Sequence, residues 1–293
     1  MKARIEYFLA RLVISFLRLF PLHIAVEIGA FLGGLCHDFD KKHQRVALDN
    51  LRTSFGESKD EDELKKIVLR IYQNLGRSYV ETLILPVMKS SRIRELTDIE
   101  GMKYYVQAKE QGKGVILLSA HFGSWEWLGT VLPICGAVMH AIARPIDNPY
   151  LNRLVQVWRS QYGNIILDKR TETGRIIKLL RQGATLGFIL DENIELKKAV
   201  FVDYFGRPAA TNKALATIAI RTGAPVIPLF IIRKKGRHKV VFEKPLILPR
   251  TGVLKEDIFE ITAIFTRKIE DYVRQYPDQW LWIKRRWKTR PPA

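Results

Sequence analysis

From about residue 100 onward, short apolar runs alternate with helix-length stretches. This alternation limits the fold more than any other feature of the chain. The apolar runs cover 115–119, 139–143, 165–167, 184–190, 200–204, 226–232 and 239–243. Helical stretches fall at about 124–134, 148–162, 173–182 and 211–222, and a last one covers 254–275. Turn signals separate them at Gly112-Lys113-Gly114, Gly163-Asn164 and Gly223-Ala224-Pro225. Strand–helix alternation of this kind predicts an α/β fold, a mixed sheet flanked by helices.

Two helices are expected before the alternation, at 40–54 and 60–85. In the second, Leu64, Ile67, Val68, Ile71, Tyr72 and Leu75 recur at i, i+3, i+4 spacing and define one buried face. No internal repeat and no linker rich in Gly, Ser or Pro divides the chain. The expected organisation is a single α/β domain over 37–293 behind a helical extension over 1–36. Apolar residues make up 47% of the chain, enough to bury a core, which excludes disorder for most of it. The two cysteines, Cys36 and Cys135, supply neither a disulfide framework nor a cysteine-based zinc site.

The extension combines positive charge with apolar bulk. Arg11, Arg18, Pro21 and Glu27 interrupt the windows of about 20 apolar residues that a spanning helix needs. No clean signal-peptide cleavage pattern follows. Arg4, Arg11 and Arg18 recur every seven residues on one stripe, and Phe8, Leu12, Phe16 and Leu19 cover another. The pattern predicts a helix lying in a membrane interface, with its arginines reaching lipid phosphates. Residues 22–36 are almost wholly apolar and are expected to dip deeper or to span. The competing reading is an ordinary amphipathic helix on the domain core. Near the other end, Trp280, Trp282 and Trp287 interleave with Lys284, Arg285, Arg286 and Lys288. That composition suits lipid headgroups or nucleic acid.

Lys and Arg number 48 against 30 Asp and Glu, a formal net charge of +18. An excess of this size exceeds what solubility needs and implies an anionic partner. Candidates are nucleic acid, an anionic membrane surface, a phosphorylated substrate or an acidic carrier protein. No nucleic-acid recognition module is visible.

The chemistry centres on Gly114-Val-Ile-Leu-Leu-Ser-Ala-His121-Phe-Gly-Ser-Trp-Glu126. An apolar strand runs directly into His121, and sites in open α/β sheets lie at the carboxyl ends of strands. Within one helix, a spacing of five residues would point His121 and Glu126 about 140° apart. With His121 before the helix and Glu126 in its second turn, the two side chains can meet. Glu126 would then fix the imidazole tautomer, and the helix N-terminus would oppose protonation, leaving His121 ready to act as a base. Zinc is disfavoured because a second histidine at helical spacing and a third ligand are missing. A serine-hydrolase elbow, a P-loop and a dinucleotide fingerprint are also absent from the sequence.

His121-Phe-Gly-Ser-Trp-Glu126 resembles the His-x4-Asp/Glu motif of the lysophospholipid acyltransferase superfamily. More narrowly, the chain resembles the bacterial lipid A biosynthesis acyltransferases, the late lauroyl/myristoyl transferases. Supporting blocks follow in family order: Arg144-Pro-Ile-Asp-Asn-Pro149, Trp158-Arg159 before Gly163, Asp191-Glu192-Asn193, and Val200 through Thr211. Arg221-Thr-Gly-Ala-Pro225, Pro277-Asp-Gln-Trp280 and Arg285-Arg-Trp287 complete the set. Glu192 departs from the family's usual glutamine and turns a polar contact into a charged one.

The resemblance implies a glycerolipid-acyltransferase-like fold. It implies that His121 is the general base and Glu126 its orienting partner, with Asp191, also at a strand end, as the rival partner. Arg159, Asp191 and Arg144 are the implied substrate-binding or oxyanion residues, Arg159 on a phosphate or the developing oxyanion. Simpler readings stand beside these: a surface charge for Arg159, a cap for Asp191, a salt bridge to Asp147 for Arg144. No cofactor and no metal are expected. The implied reaction moves a fatty acyl chain from a thioester, acyl-carrier protein with acyl-CoA as the alternative, to a hydroxyl of a lipid A precursor. The implied location is the bacterial inner membrane, peripheral or single-pass, with the site on the cytoplasmic side. Competing functions are acylation of another glycolipid or lysophospholipid, such as a phosphatidylinositol mannoside, nucleic-acid binding, and a non-catalytic membrane scaffold.

Overall fold

The computed structural model describes residues 1–56, 58–168 and 173–292. Four helices come first: α1 (Lys2–Leu17), α2 (Leu22–Phe39), α3 (Lys41–Phe55) and α4 (Glu61–Ile84). Asp60 caps α4 by accepting from the Glu63 N–H, and Glu61, Asp62 and Glu63 place negative charge in its first turn. The alternating region follows as α5 (Ser90–Glu95), β1 (Thr97–Glu100), α6 (Met102–Glu110), β2 (Val115–Ser119), α7 (Trp125–Ile134), β3 (His140–Ala143), α8 (Pro149–Ser160), β4 (Ile165–Asp168), α9 (Thr173–Arg181) and β5 (Thr185–Ile189). A ribbon of β6 (Ala199–Tyr204) and β7 (Arg207–Asn212) leads to α10 (Ala214–Thr222), β8 (Val226–Lys234), β9 (Arg237–Phe242) and α11 (Leu254–Gln275).

Seven strands form one sheet in the order β1-β9-β8-β2-β5-β3-β4, and β6 and β7 pair separately. All neighbours in the large sheet are parallel except β8 and β9, which form an antiparallel hairpin. Central strand β2 is buried at all five positions because both faces are covered. Ile116 and Leu118 join a core built with Ile67 and Ile71 of α4, Leu180 of α9, Ile218 of α10 and Phe265 of α11. Val115 and Leu117 face the opposite way, onto Tyr105 of α6 and Trp127 and Val131 of α7.

The mixed sheet flanked by helices agrees with the expectation from sequence, as do most element positions. Strands β1 and β7 and helices α5 and α6 are additions. β1 is an edge strand with acidic residues at two of its four positions, and β7 is Arg-Pro-Ala-Ala-Thr-Asn, so neither carries an apolar run. The strand expected at 239–243 is Arg237–Phe242, and the helix expected from 211 begins at Ala214 because β7 continues to Asn212.

The N-terminal helices pack on the domain. Ile14 and Leu17 of α1 are buried, and Leu17 joins a small cluster with Ala25, Val80 and Ile84. Phe8, Leu12, Phe16 and Leu19 face outward, each more than half exposed. Two of the three striped arginines turn toward protein rather than toward lipid phosphates. Arg18 donates to the Leu83 carbonyl oxygen at 2.8 and 3.2 Å and lies over the Trp158 ring, and Arg4 donates to the Tyr150 hydroxyl at 3.1 Å.

Helix α2 is long and apolar enough to cross a membrane. It lies backbone to backbone on α4: a Cβ on Gly33 would sit 2.2 Å from the Tyr72 carbonyl oxygen, and one on Gly76 would sit 2.0 Å from that of Gly29. The C-terminal tryptophans also differ from expectation. Trp280 and Trp282 are buried in the core and Trp287 packs against it, so these rings are not a free headgroup-facing belt.

Candidate active site

The register of two neighbouring strands builds the site. β2 and β5 are parallel with Ser119 opposite Ile189. His121 and Asp191 each follow two residues later, so they stand level at the carboxyl edge of the sheet despite a separation of 70 residues. The His121 backbone N–H donates to Asp191 Oδ2 at 3.0 Å, and Nδ1 meets Oδ1 at 3.0 Å. The indole N–H of Trp280 donates to Oδ2 at 2.7 Å. With Nδ1–H given to Asp191, Nε2 carries the lone pair. No described residue hydrogen-bonds to Nε2, and the His121 side chain is 23% exposed.

The turn after His121 is held tightly. Gly123 adopts a φ of 56°, and a Cβ there would lie 2.1 Å from the Ile231 carbonyl oxygen of β8. Its N–H donates to the Gln279 carbonyl oxygen at 2.8 Å. A cleft beside the turn is lined by His121, Trp125, Asn74, Ser78, Arg233 and Gln279.

Electrostatics favour an anionic Asp191 and a basic His121. Burial pushes the Asp191 pKa up, but the His121 charge and the three donated bonds outweigh it, and the net shift is downward. Burial likewise opposes the imidazolium, but Asp191, aided by Glu192 and countered by Lys284, raises the His121 pKa above its ordinary value. The net shift is opposite to the lowering expected from the helix N-terminus.

Glu126 does not reach the imidazole. It sits in the first turn of α7, not the second, and both its oxygens take Arg159, Oε2 accepting from Nε at 3.1 Å and Oε1 from Nη2. Of the two expected partners, Asp191 is the one in contact with His121. The Glu126 bond and charge outweigh burial and raise the Arg159 pKa, so the guanidinium stays charged. Arg144 follows β3 but points to solvent at 77% exposure, 3.7 Å from Asp147, as the simpler reading had it. The structure therefore groups His121 with Asp191 and Glu126 with Arg159, and leaves Arg144 outside both.

A third ionic cluster was not read from sequence. Glu81 of α4 is buried, Arg233 bonds both its oxygens, and His238 Nε2 meets Oε1 at 3.1 Å. Arg233 also donates to Ser78 Oγ at 3.0 Å on the wall of the His121 cleft. Burial alone would raise the Glu81 pKa, but the neighbouring charges and bonds hold it at about 2. The sequence signal was available: Glu81 lies four residues after Arg77 but between Val80 and Ile84, both on the buried face of α4.

A strand-end histidine that lines a cleft, oriented by a buried carboxylate and with its other nitrogen unbonded among the described residues, can take a proton from a hydroxyl without a covalent enzyme intermediate. No serine or cysteine hydroxyl or thiol bonds the imidazole among the described residues. Such an arrangement is compatible with group transfer by general-base chemistry. The sequence matches the family described as bacterial lipid A biosynthesis acyltransferase over residues 2–289, and the chain belongs to that family and is an acyltransferase. It is 28% identical over 272 residues to the lipid A biosynthesis palmitoleoyltransferase of Escherichia coli (strain K12), covering 92% of this chain and 87% of the relative. It is 28% identical over 277 residues to the lipid A biosynthesis lauroyltransferase of the same strain, with the same coverage. Identity to that strain's lipid A biosynthesis myristoyltransferase is 24% over 271 residues, covering 92% of this chain and 81% of the relative.

Proposed function

We propose that this acyltransferase moves a fatty acyl chain from a thioester, carried by acyl-carrier protein, to a hydroxyl of a lipid A precursor, with His121 as general base. The observation that carries the reading is the His121–Asp191 pair, with Nδ1 held at 3.0 Å, Nε2 unbonded among the described residues and His121 lining the cleft. Nε2 takes the hydroxyl proton as the oxygen attacks the thioester carbonyl. The tetrahedral intermediate then collapses, the C–S bond breaks, and the imidazolium returns the proton to the leaving thiolate. Asp191 stabilises the imidazolium between these steps. Arg159 is fixed by Glu126 through Nε and Nη2, which leaves Nη1 to meet a phosphate or the oxyanion.

The net charge of +18 suits an acidic carrier, a phosphorylated saccharolipid and an anionic leaflet together. Residues 1–36 act as the membrane-associated part and 37–293 as the catalytic domain, in a glycerolipid-acyltransferase-like arrangement. The outward Phe8, Leu12 and Phe16 rest in the cytoplasmic leaflet of the inner membrane, where thioester donors are available.

The test is acyl transfer by purified enzyme in vesicles containing a 3-hydroxyacylated lipid A precursor, followed by mass spectrometry. Wild type should add one acyl chain when given an acyl-carrier-protein thioester. His121→Ala should lose about 10²–10⁴-fold in turnover. A His121→Ala enzyme within about tenfold of wild type would reject the base, and a wild type that ignores the precursor would reject the acceptor.

A further inference from the structure

We infer that Trp280 is a positioning residue for the catalytic pair: its indole N–H fixes the carboxylate of Asp191 that orients His121. This rests on the reading of His121 as the general base. Two groups hold Asp191 Oδ2, the His121 backbone N–H at 3.0 Å and the Trp280 indole N–H at 2.7 Å. Oδ1 is left to the imidazole. A carboxylate turns about one bond, so locking Oδ2 from two sides also aims Oδ1. The indole is the shorter of the two bonds. It is also the only side chain other than His121 that bonds this carboxylate among the described residues.

The donor itself is buried and packed on both sides. Trp280 is 3% exposed and sits edge-on to Tyr204 at 5.5 Å and to Trp282 at 4.6 Å. Its main chain bridges Phe122, the residue after His121. The preceding Gln279 ties the same segment to both neighbouring walls. Its carbonyl oxygen accepts from Gly123 at 2.8 Å, its side-chain oxygen accepts from the Arg233 N–H at 2.8 Å, and its amide donates to the Arg233 carbonyl oxygen at 3.0 Å. One short segment therefore holds the histidine turn, strand β8 and the carboxylate together.

The groups that set the charge balance of the pair come from several elements. Glu192 and Lys284 act on His121, and Tyr204 and Arg286 lie behind Asp191. Trp280 is neutral, yet its N–H dipole presents a positive end to the carboxylate. With the His121 N–H still holding Oδ2, removing that dipole leaves more of the carboxylate's charge to the imidazolium, which then persists to higher pH.

Trp280→Phe keeps an aromatic ring and deletes the donor. A hydrogen bond to a charged group supports an expected fall in kcat of about tenfold to a hundredfold. KM should stay near wild type, and the rising limb of the pH profile should move to higher pH. Trp282→Phe is the matched control, because it deletes an indole bond of 2.7 Å to the Pro277 carbonyl oxygen in the same cluster without touching Asp191. Equal losses of kcat in the two variants, with the limb unmoved, would show packing alone and overturn the role.

A measurement on unaltered protein covers the case in which Trp280→Phe does not fold. In ¹⁵N-tryptophan-labelled enzyme, assigned through single substitutions of the other tryptophans, the Trp280 indole signal should shift with pH as His121 titrates. An indole signal that stays fixed while His121 titrates overturns the proposal. The base itself is tested separately: an active His121→Ala enzyme rejects the base, whereas the indole titration reports the Trp280–Asp191–His121 coupling without reference to turnover.

Discussion

Glu126 and Arg159 close a two-point ion pair between the first turn of α7 and the last turn of α8. The pair is mostly buried, the side chains being 20% and 29% exposed. Glu126→Gln leaves a largely buried guanidinium without its anion and should destabilise the protein by about 1–3 kcal/mol, between the surface and buried limits. Arg159→Lys keeps the charge but loses the planar fork. Denaturant unfolding of both single variants and the double variant should show non-additive losses. Additive losses would mean that the pair contributes nothing as a unit.

Asp191→Asn should be the more damaging change to catalysis. An amide still fills the space but no longer supports the imidazolium, so kcat should fall by about 10²–10⁴-fold, against a smaller loss for Glu126→Gln. The pH dependence has a definite sign. His121 has its pKa raised by Asp191, so wild-type activity should rise with pH through a value above the ordinary histidine value of about 6.5. Asp191→Asn should move that limb downward. A larger loss from Glu126→Gln, with the limb unmoved in Asp191→Asn, would make Glu126 the functional partner.

The Glu81 cluster predicts a distinct acid sensitivity. Its pKa is held at about 2, below its ordinary 4.5, so the ionised carboxylate stabilises the fold above pH 4.5. That contribution should disappear as pH falls from 4.5 toward 2. Glu81→Gln leaves the mostly buried Arg233 guanidinium without its counter-charge, and should cost about 3–5 kcal/mol at neutral pH. It should also flatten the acid limb of stability. Melting temperatures measured across pH for both proteins check this, and parallel curves would contradict it.

The outward face of α1 offers a cleaner test of membrane attachment than removing residues 1–36, because α2 packs on α4 through glycine-to-backbone contacts. Phe8→Ser, Leu12→Ser and Phe16→Ser together change side chains that are 62%, 51% and 54% exposed. The triple variant should keep its melting temperature, leave the vesicle pellet and lose activity on bilayer-embedded precursor. Continued sedimentation at low and high salt would place the attachment elsewhere.

The sheet and most helices were legible because buried strands and packed helices write their periodicities directly into sequence. His121 was legible as the residue ending an apolar strand. The partner of His121 was harder to read, because it depends on which strands are neighbours, and β5 inserts between β2 and β3. Sequence proximity favoured Glu126, while lateral pairing delivers Asp191. Two arginines of the α1 stripe and two of the C-terminal tryptophans misled for a related reason. Arg18 and Trp280 look like surface groups from composition, but their partners, the Leu83 carbonyl and the Asp191 carboxylate, lie in distant segments.

The shared register of β2 and β5 works as a ruler. The separation of His121 from Asp191 is fixed by two main chains rather than by the segment joining them. Evolution can therefore recut α7, α8 and α9, lengthen a loop or reshape a groove, and leave the His121–Asp191 contact in place as long as the two strands stay paired. Lipid A acyltransferases named for three different acyl chains align with nearly this whole chain. A contact set by strand pairing is one that changes elsewhere in such a chain need not disturb.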